Sequence, residues 1–237
     1  MARKTAATTS MSHTERLAGT IFFVVYLLVM PLLADRFFAL LEVLLDTQID
    51  AGLQNALYYY ILFAVTLIIF HGCIAATTTK FFDSLNRSFT TLFLALLVFY
   101  GANELIYRLF HVFFHSRVNL NDTTIAAQVS AAPRTTALIV VFLAPFVEEV
   151  LFRGLVFGCV KEKSRVFAYA LSALLFAFTH VWTFALSAWD PSYLILMLQY
   201  LVPGLVFAWA YDRSGTLWTS VLLHAIVNAL ALFVILT

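Results

Sequence analysis

TTALIVVFLAPFVEEVLFRGLVFGCV, residues 135–160, decides the fold: it is long and apolar enough to cross a bilayer, yet it places Glu148, Glu149 and Arg153 close together. A transmembrane helix needs about 20 mostly apolar residues. A charge at its centre costs about 2.5–3.5 kcal/mol even on the lenient insertion scale, so such residues turn inward to partners or to a water-filled cavity. Working outward from this segment, further spans are expected at roughly 17–34, 55–76, 88–112, 166–189, 191–211 and 217–237. The chain therefore reads as all-α, a polytopic transmembrane bundle of about seven helices.

Composition agrees. The chain is 62% hydrophobic and 11% charged, with a mean hydropathy of +0.93, whereas a soluble domain carries about 25% charged residues. The net charge of +1 offers no basic surface for nucleic acid. Two cysteines, Cys73 and Cys159, form neither a CxxC pair nor a disulfide framework. The basic opening MARKTAATTSMSHTER (residues 1–16) is expected to be a disordered tail, and the apolar run Leu17–Ala34 exceeds a signal-peptide core of about 7–15 residues, which predicts a retained first span. Between the first two spans, DRFFALLEVLLDTQIDAG spaces Phe37, Phe38, Leu40, Leu41, Leu44 and Leu45 helically among acidic residues, as an amphipathic helix at the interface would.

Orientation follows from basic residues, which accumulate on the cytoplasmic side. These spans put Arg3, Lys4, Arg16, Lys80, Arg87, Lys161, Lys163, Arg165 and Arg213 on one side, and only Arg36, Arg117 and Arg134 on the other. The N-terminus is expected to be cytoplasmic and the C-terminus outside, in the cell membrane. Trp209, Tyr211 and Trp218 flank the short DRSGT loop as interfacial anchors would.

The charged and imidazole residues inside spans are the functional candidates. Glu149 and Arg153, four apart, share a helix face and are expected to pair as scaffold. Glu148, turned about 100° away, is expected to face the interior as a general base. FAFTH puts Phe176 and His180 on one face of the next span, and HAIVN puts His224 and Asn228 on one face of the last. Glu148, His180, His224 and Asn228 lie at similar expected depth, so they could meet in one cavity, activate a water and steady an oxyanion. Plain alternatives exist for each: a hydrogen-bonded packing histidine, or an asparagine joining helices. His71, Asn103 and Glu104 read as structural, Glu104 pairing with Arg108 or lining the cavity. Ser220 precedes His224 by one turn, but no GxSxG elbow accompanies it.

Three motifs in order carry a family resemblance. EEVLFR at 148–153 resembles E-E-x-x-x-R, FAFTH resembles F-x-x-x-H, and HAIVN resembles H-x-x-x-N, all of the CAAX protease and bacteriocin-processing (CPBP, or Abi) family of intramembrane proteases, related to type II CAAX prenyl endopeptidases. The stretch from Gly204 to Asn228 is similar as well. This divides the chain into a tail at 1–16, N-terminal transmembrane helices at 17–134 and a catalytic core at 135–237.

The resemblance implies an intramembrane endopeptidase acting on a peptide or membrane-protein substrate: Glu148 activates water, His180 assists, His224 and Asn228 stabilise the oxyanion, and Glu149 and Arg153 support them. It points to a bacterial member, associated with peptide processing or bacteriocin immunity rather than prenylated substrates. It also favours a metal-free mechanism without cofactor. Glu148, His180 and His224 would be the ligands if zinc were used, although no HExxH is present. The competing reading is a non-enzymatic binding or immunity protein that keeps the cavity. A proton-coupled transporter lacks the expected inverted repeat. His224 lies early in its helix, so the cavity is expected to open towards the half where that helix starts.

Overall fold

The computed structural model describes residues 11–114 and 120–236; residues 1–10 of the expected tail and Arg117 of the basic tally lie outside the described residues. All regular structure among the described residues is helical. Six helices are long and apolar enough to span a membrane: α1 (His13–Leu45), α2 (Ala51–Ile69), α4 (Leu85–Phe114), α6 (Pro133–Lys161), α9 (Pro191–Ser214) and α10 (Leu217–Leu236). Between them lie α3 (His71–Asp83), α5 (Leu120–Ala131), the shorter apolar α7 (Arg165–Thr179) and α8 (Trp182–Ser187). The expected seven spans thus become six plus α7, and the chain is a multi-pass membrane protein.

Several helix boundaries differ from the expected ones for local reasons. The first helix starts at His13, where Ser12 and Glu15 form a reciprocal capping box. It then runs without a break to Leu45, so residues 35–45 extend the first helix instead of forming a separate interfacial one. Asp35 and Arg36 are exposed on that helix and do not stop it; it ends at Asp46 in a left-handed conformation, φ 47°. Glu42 then joins this end to α2 by accepting from Ile49 N and Gln54 Nε2.

The expected 55–76 span divides at Phe70, a fully buried ring seated against Gly19, where a Cβ would stand 2.5 Å from Phe70 Cζ. The new helix start is satisfied from afar, because Glu15 Oε1 accepts from Cys73 N at 2.8 Å.

The core gathers around α6, whose residues 143–157 are all buried. Phe152 meets Phe23, Tyr26 and Phe176 edge-on, at centroid distances of 5.4, 6.4 and 5.5 Å. Helices α7 and α9 pack so closely that a Cβ at Gly204 would lie 2.9 Å from Ala173 Cα. At one end of the bundle, buried Asp212 is clamped by Lys161, by Arg165 at 2.6 Å and by the Tyr169 hydroxyl at 3.0 Å, which ties α9 to α6 and α7.

Candidate active site

Helix α6 is locally wide. Residues Ile139–Leu143 and Val150–Phe157 follow i→i+5 hydrogen bonding, and Ala144 N accordingly donates to Ile139 O. Continuing that register, Val140 O would turn to residue 145, which is a proline without an N–H. Asn228 supplies the missing donor: its Nδ2 donates to Val140 O at 2.8 Å. A side chain on α10 thereby satisfies a carbonyl that the proline frees, as transmembrane helices with internal prolines require.

Beyond Pro145 the helix delivers Glu148 and Glu149 to different surroundings. Glu149, fully buried, places Oε1 3.1 Å from Arg153 Nη1 and 3.0 Å from His224 Nδ1. Arg153, also fully buried, donates through Nη2 to Gly204 O at 3.1 Å. Its guanidinium lies over the Phe176 ring at 4.5 Å and near Phe207 at 5.3 Å. The buried guanidinium therefore has a counter-charge, a carbonyl and two aromatic faces, the combination that makes such burial tolerable.

Glu148 behaves differently. Its Oε2 is buried without a hydrogen-bond partner and lies 4.0 Å from His180 Nε2 and 3.9 Å from His224 Nε2. Both imidazoles are oriented from behind. His180 Nδ1 is 2.8 Å from Phe176 O, and His224 Nδ1 is 3.0 Å from Glu149 Oε1. A carbonyl and a carboxylate can only accept, so both Nδ1 atoms carry protons and both Nε2 atoms face Glu148. Ring stacking fixes the planes: Tyr200 against His180 and Phe207 against His224, each pair with centroids 4.5 Å apart.

Three acceptor atoms thus converge on one point. Separations of 3.9–4.0 Å exceed a direct hydrogen bond and have the width that one water spans when it bonds to both sides. They are also wider than the separation of about 3.4 Å between neighbouring ligands of a tetrahedral zinc ion with bonds of about 2.1 Å. Among the described residues, no group of three His, Cys, Asp or Glu side chains is arranged to hold a metal ion.

The site heads a cavity of about 670 Å³ lined by Glu148, His180, His224 and Asn228. The lining continues along Val140, Gln199 and Ile235 to Asn121 and Gln128. These residues mark the end of the bundle where α6 and α9 begin and α10 finishes. The expected opening, towards the start of α10, is therefore corrected. Leu217, Thr219, Ser220, Val221 and Leu223 are buried and close that end.

The other sequence candidates separate. Asn103 lines the cavity, whereas Glu104 is exposed and bound to Arg108 at 2.6 Å. Ser220 donates to Leu217 O and takes no part in the site. His71 is exposed beside Ile68 O. Tyr59, Tyr107 and Tyr200 line the cavity, as does α5, which falls between two of the expected spans. The segment NDTTIAAQVS has no apolar stripe to announce a helix.

These features define a class: a multi-pass membrane protein with a carboxylate and two oriented imidazoles at the head of a cavity. Residues 130–230, which contain Glu148, His180, His224 and Asn228, match the family described as "Type II CAAX prenyl endopeptidase Rce1-like". The matched segment holds the three motifs EEVLFR, FAFTH and HAIVN. The chain is similar to "Putative membrane peptidase YdiL" of Bacillus subtilis (strain 168), 28% identical over 120 residues, or 50% of this chain and 44% of that protein. It is likewise 28% identical over 86 residues to "UPF0177 protein YxdF" of Lactococcus lactis subsp. lactis (strain IL1403), covering 36% of this chain and 42% of that protein. The matched stretch spans less than half the length of either relative. No solved structure matches the chain significantly.

Proposed function

We propose that this chain is an intramembrane endopeptidase that hydrolyses a peptide bond with a water activated by Glu148. The observation that carries the reading is the buried, unpartnered Glu148 Oε2 midway between two imidazoles at the head of a cavity. In this mechanism Glu148 takes a proton from the water as the oxygen attacks the scissile carbonyl, and later returns it to the leaving amine. His180 holds the water through Nε2. The developing oxyanion is met from α10, by the second N–H of the Asn228 carboxamide and by His224 Nε2 when it carries a proton. Glu149 and Arg153 position His224 and fill the space behind it.

The substrate is a peptide or a membrane-associated protein that enters from the end lined by α5. With the basic-residue tally placing the N-terminus in the cytoplasm, that end faces outward. The Rce1-like match and the peptidase name carried by the Bacillus relative support hydrolysis over a purely binding role.

The test uses the purified full-length chain in lipid nanodiscs, incubated with a peptide library read by mass spectrometry. Glu148→Gln and His180→Ala are each expected to lower the rate of cleavage by about 10²–10⁴, the usual contribution of a general acid–base group. A chelator is expected to leave the rate unchanged. Cleavage retained by both variants would sink the peptidase reading, and chelator-sensitive cleavage would return zinc to Glu148, His180 and His224.

A further inference from the structure

Far from the catalytic cavity, at the end of the bundle where α4 begins and α9 finishes, a second cavity of about 390 Å³ is lined by Asn86, Arg87, Thr90, Thr91 and Arg213. Two guanidinium groups from two helices share it, and no carboxylate is among its lining residues. Most of the other buried or helix-end cations are paired, Arg16, Arg108, Arg153, Lys161 and Arg165 among them. Arg87 and Arg213 enter no ion pair among the described residues. Arg213 instead rests over the Trp209 ring at 5.4 Å, which holds its planar group in place.

Two further observations point to an anion. Thr91 is wholly buried and its Oγ1 has no hydrogen-bond partner. Ser84, at the entry to α4, donates its hydroxyl to Lys80 O, and the first turn of α4 supplies Asn86 and Arg87 to the cleft, close to the helix end that favours negative charge.

We infer that this cleft binds a phosphate group, held by the forked donors of Arg87 and Arg213 and by the Asn86 amide and Thr90 hydroxyl. Guanidinium pairs match phosphate oxygens two at a time, and basic pockets between transmembrane helices take up phospholipid headgroups. The phosphate belongs either to an anionic phospholipid or to a soluble phosphate ester.

Native mass spectrometry of the full chain released from nanodiscs tests this. Wild type is expected to retain phosphatidylglycerol over phosphatidylcholine. Arg87→Gln and Arg213→Gln are each expected to weaken that preference about fivefold. Lys163→Gln, an exposed change at the same end, should leave it intact. Competition by glycerol 3-phosphate would assign the site to a soluble ester, and its failure to compete would assign it to the lipid. Equal retention of both lipids by wild type together with no binding of glycerol 3-phosphate, an unaltered preference in the double arginine variant, or an equal loss in Lys163→Gln would overturn the inference. All three substituted residues are exposed, so their variants keep the fold.

Discussion

Helices α1, α2 and α4 differ from α6 in what surrounds them. In the most apolar window of α6, 67% of residues are buried, against 22% in α1, 17% in α2 and 22% in α4. The outer helices present Leu17, Ile21, Leu32, Ile68, Phe93 and Leu97 outward, where lipid replaces protein as the apolar partner. The inner helix is wrapped on all sides and carries every charge of the site. Burial of a charge in a membrane is tolerated only with partners, so Glu148, Glu149 and Arg153 sit on the helix that neighbours reach from most directions. The outer helices still contribute: Tyr59 of α2, and Phe99 and Asn103 of α4, complete a wall of the cavity.

The difference can be broken most severely at Arg153. Replacing it by Met leaves Glu149 buried with only His224 Nδ1 as a close partner. An uncompensated buried charge costs about 3–5 kcal/mol, so the thermal midpoint in detergent is expected to fall by many degrees or the variant to fail to accumulate. Adding Glu149→Gln to Arg153→Met removes the orphaned charge and should recover part of the loss. If the double variant is no more stable than Arg153→Met alone, the pair is not the scaffold described for it.

Much of this inner site is legible in the sequence, because the membrane makes charge conspicuous. Glu148, Glu149, Arg153, His180 and His224 stand out from their apolar runs, and helical spacing turns the two glutamates to different surroundings. What was not legible depended on neighbours distant in sequence. That Glu149 holds His224 as well as Arg153, and that Asn228 bonds to Val140 O, join residues far apart in the chain through packing alone. That Pro145 leaves Val140 O without a donor from its own helix follows only once the register of Ile139–Leu143 is known. The helix α5 and the division at Phe70 escaped for opposite reasons: α5 lacks an apolar stripe, whereas the run through Phe70 is apolar on both sides of the break.

A milder change tests how tight the inner packing is. At Gly204 an added Cβ would meet Ala173 Cα at 2.9 Å and Ala173 O at 3.2 Å, both backbone atoms of α7 that cannot rotate away. Overpacking of this kind costs about 1–3 kcal/mol. Gly204→Ala is therefore expected to lower the thermal midpoint clearly. It should also reduce whatever activity the wild type shows, because Gly204 O holds Arg153. An unchanged midpoint would mean that α7 and α9 are looser than their contact implies.

The same substitution on the outer ring should have the opposite sign. Gly101 lies in the middle of α4, is exposed, and has no neighbour within 4 Å of where a Cβ would stand. With no clash to relieve, the dominant effect is on the backbone: alanine restricts the unfolded chain and favours helix by about 0.5–1 kcal/mol. Gly101→Ala is thus expected to raise the thermal midpoint slightly and to leave catalysis untouched. A fall instead would show that α4 is met closely at Gly101 by something outside this chain, a second copy or a bound partner, and that this face of the outer ring is not merely turned to lipid.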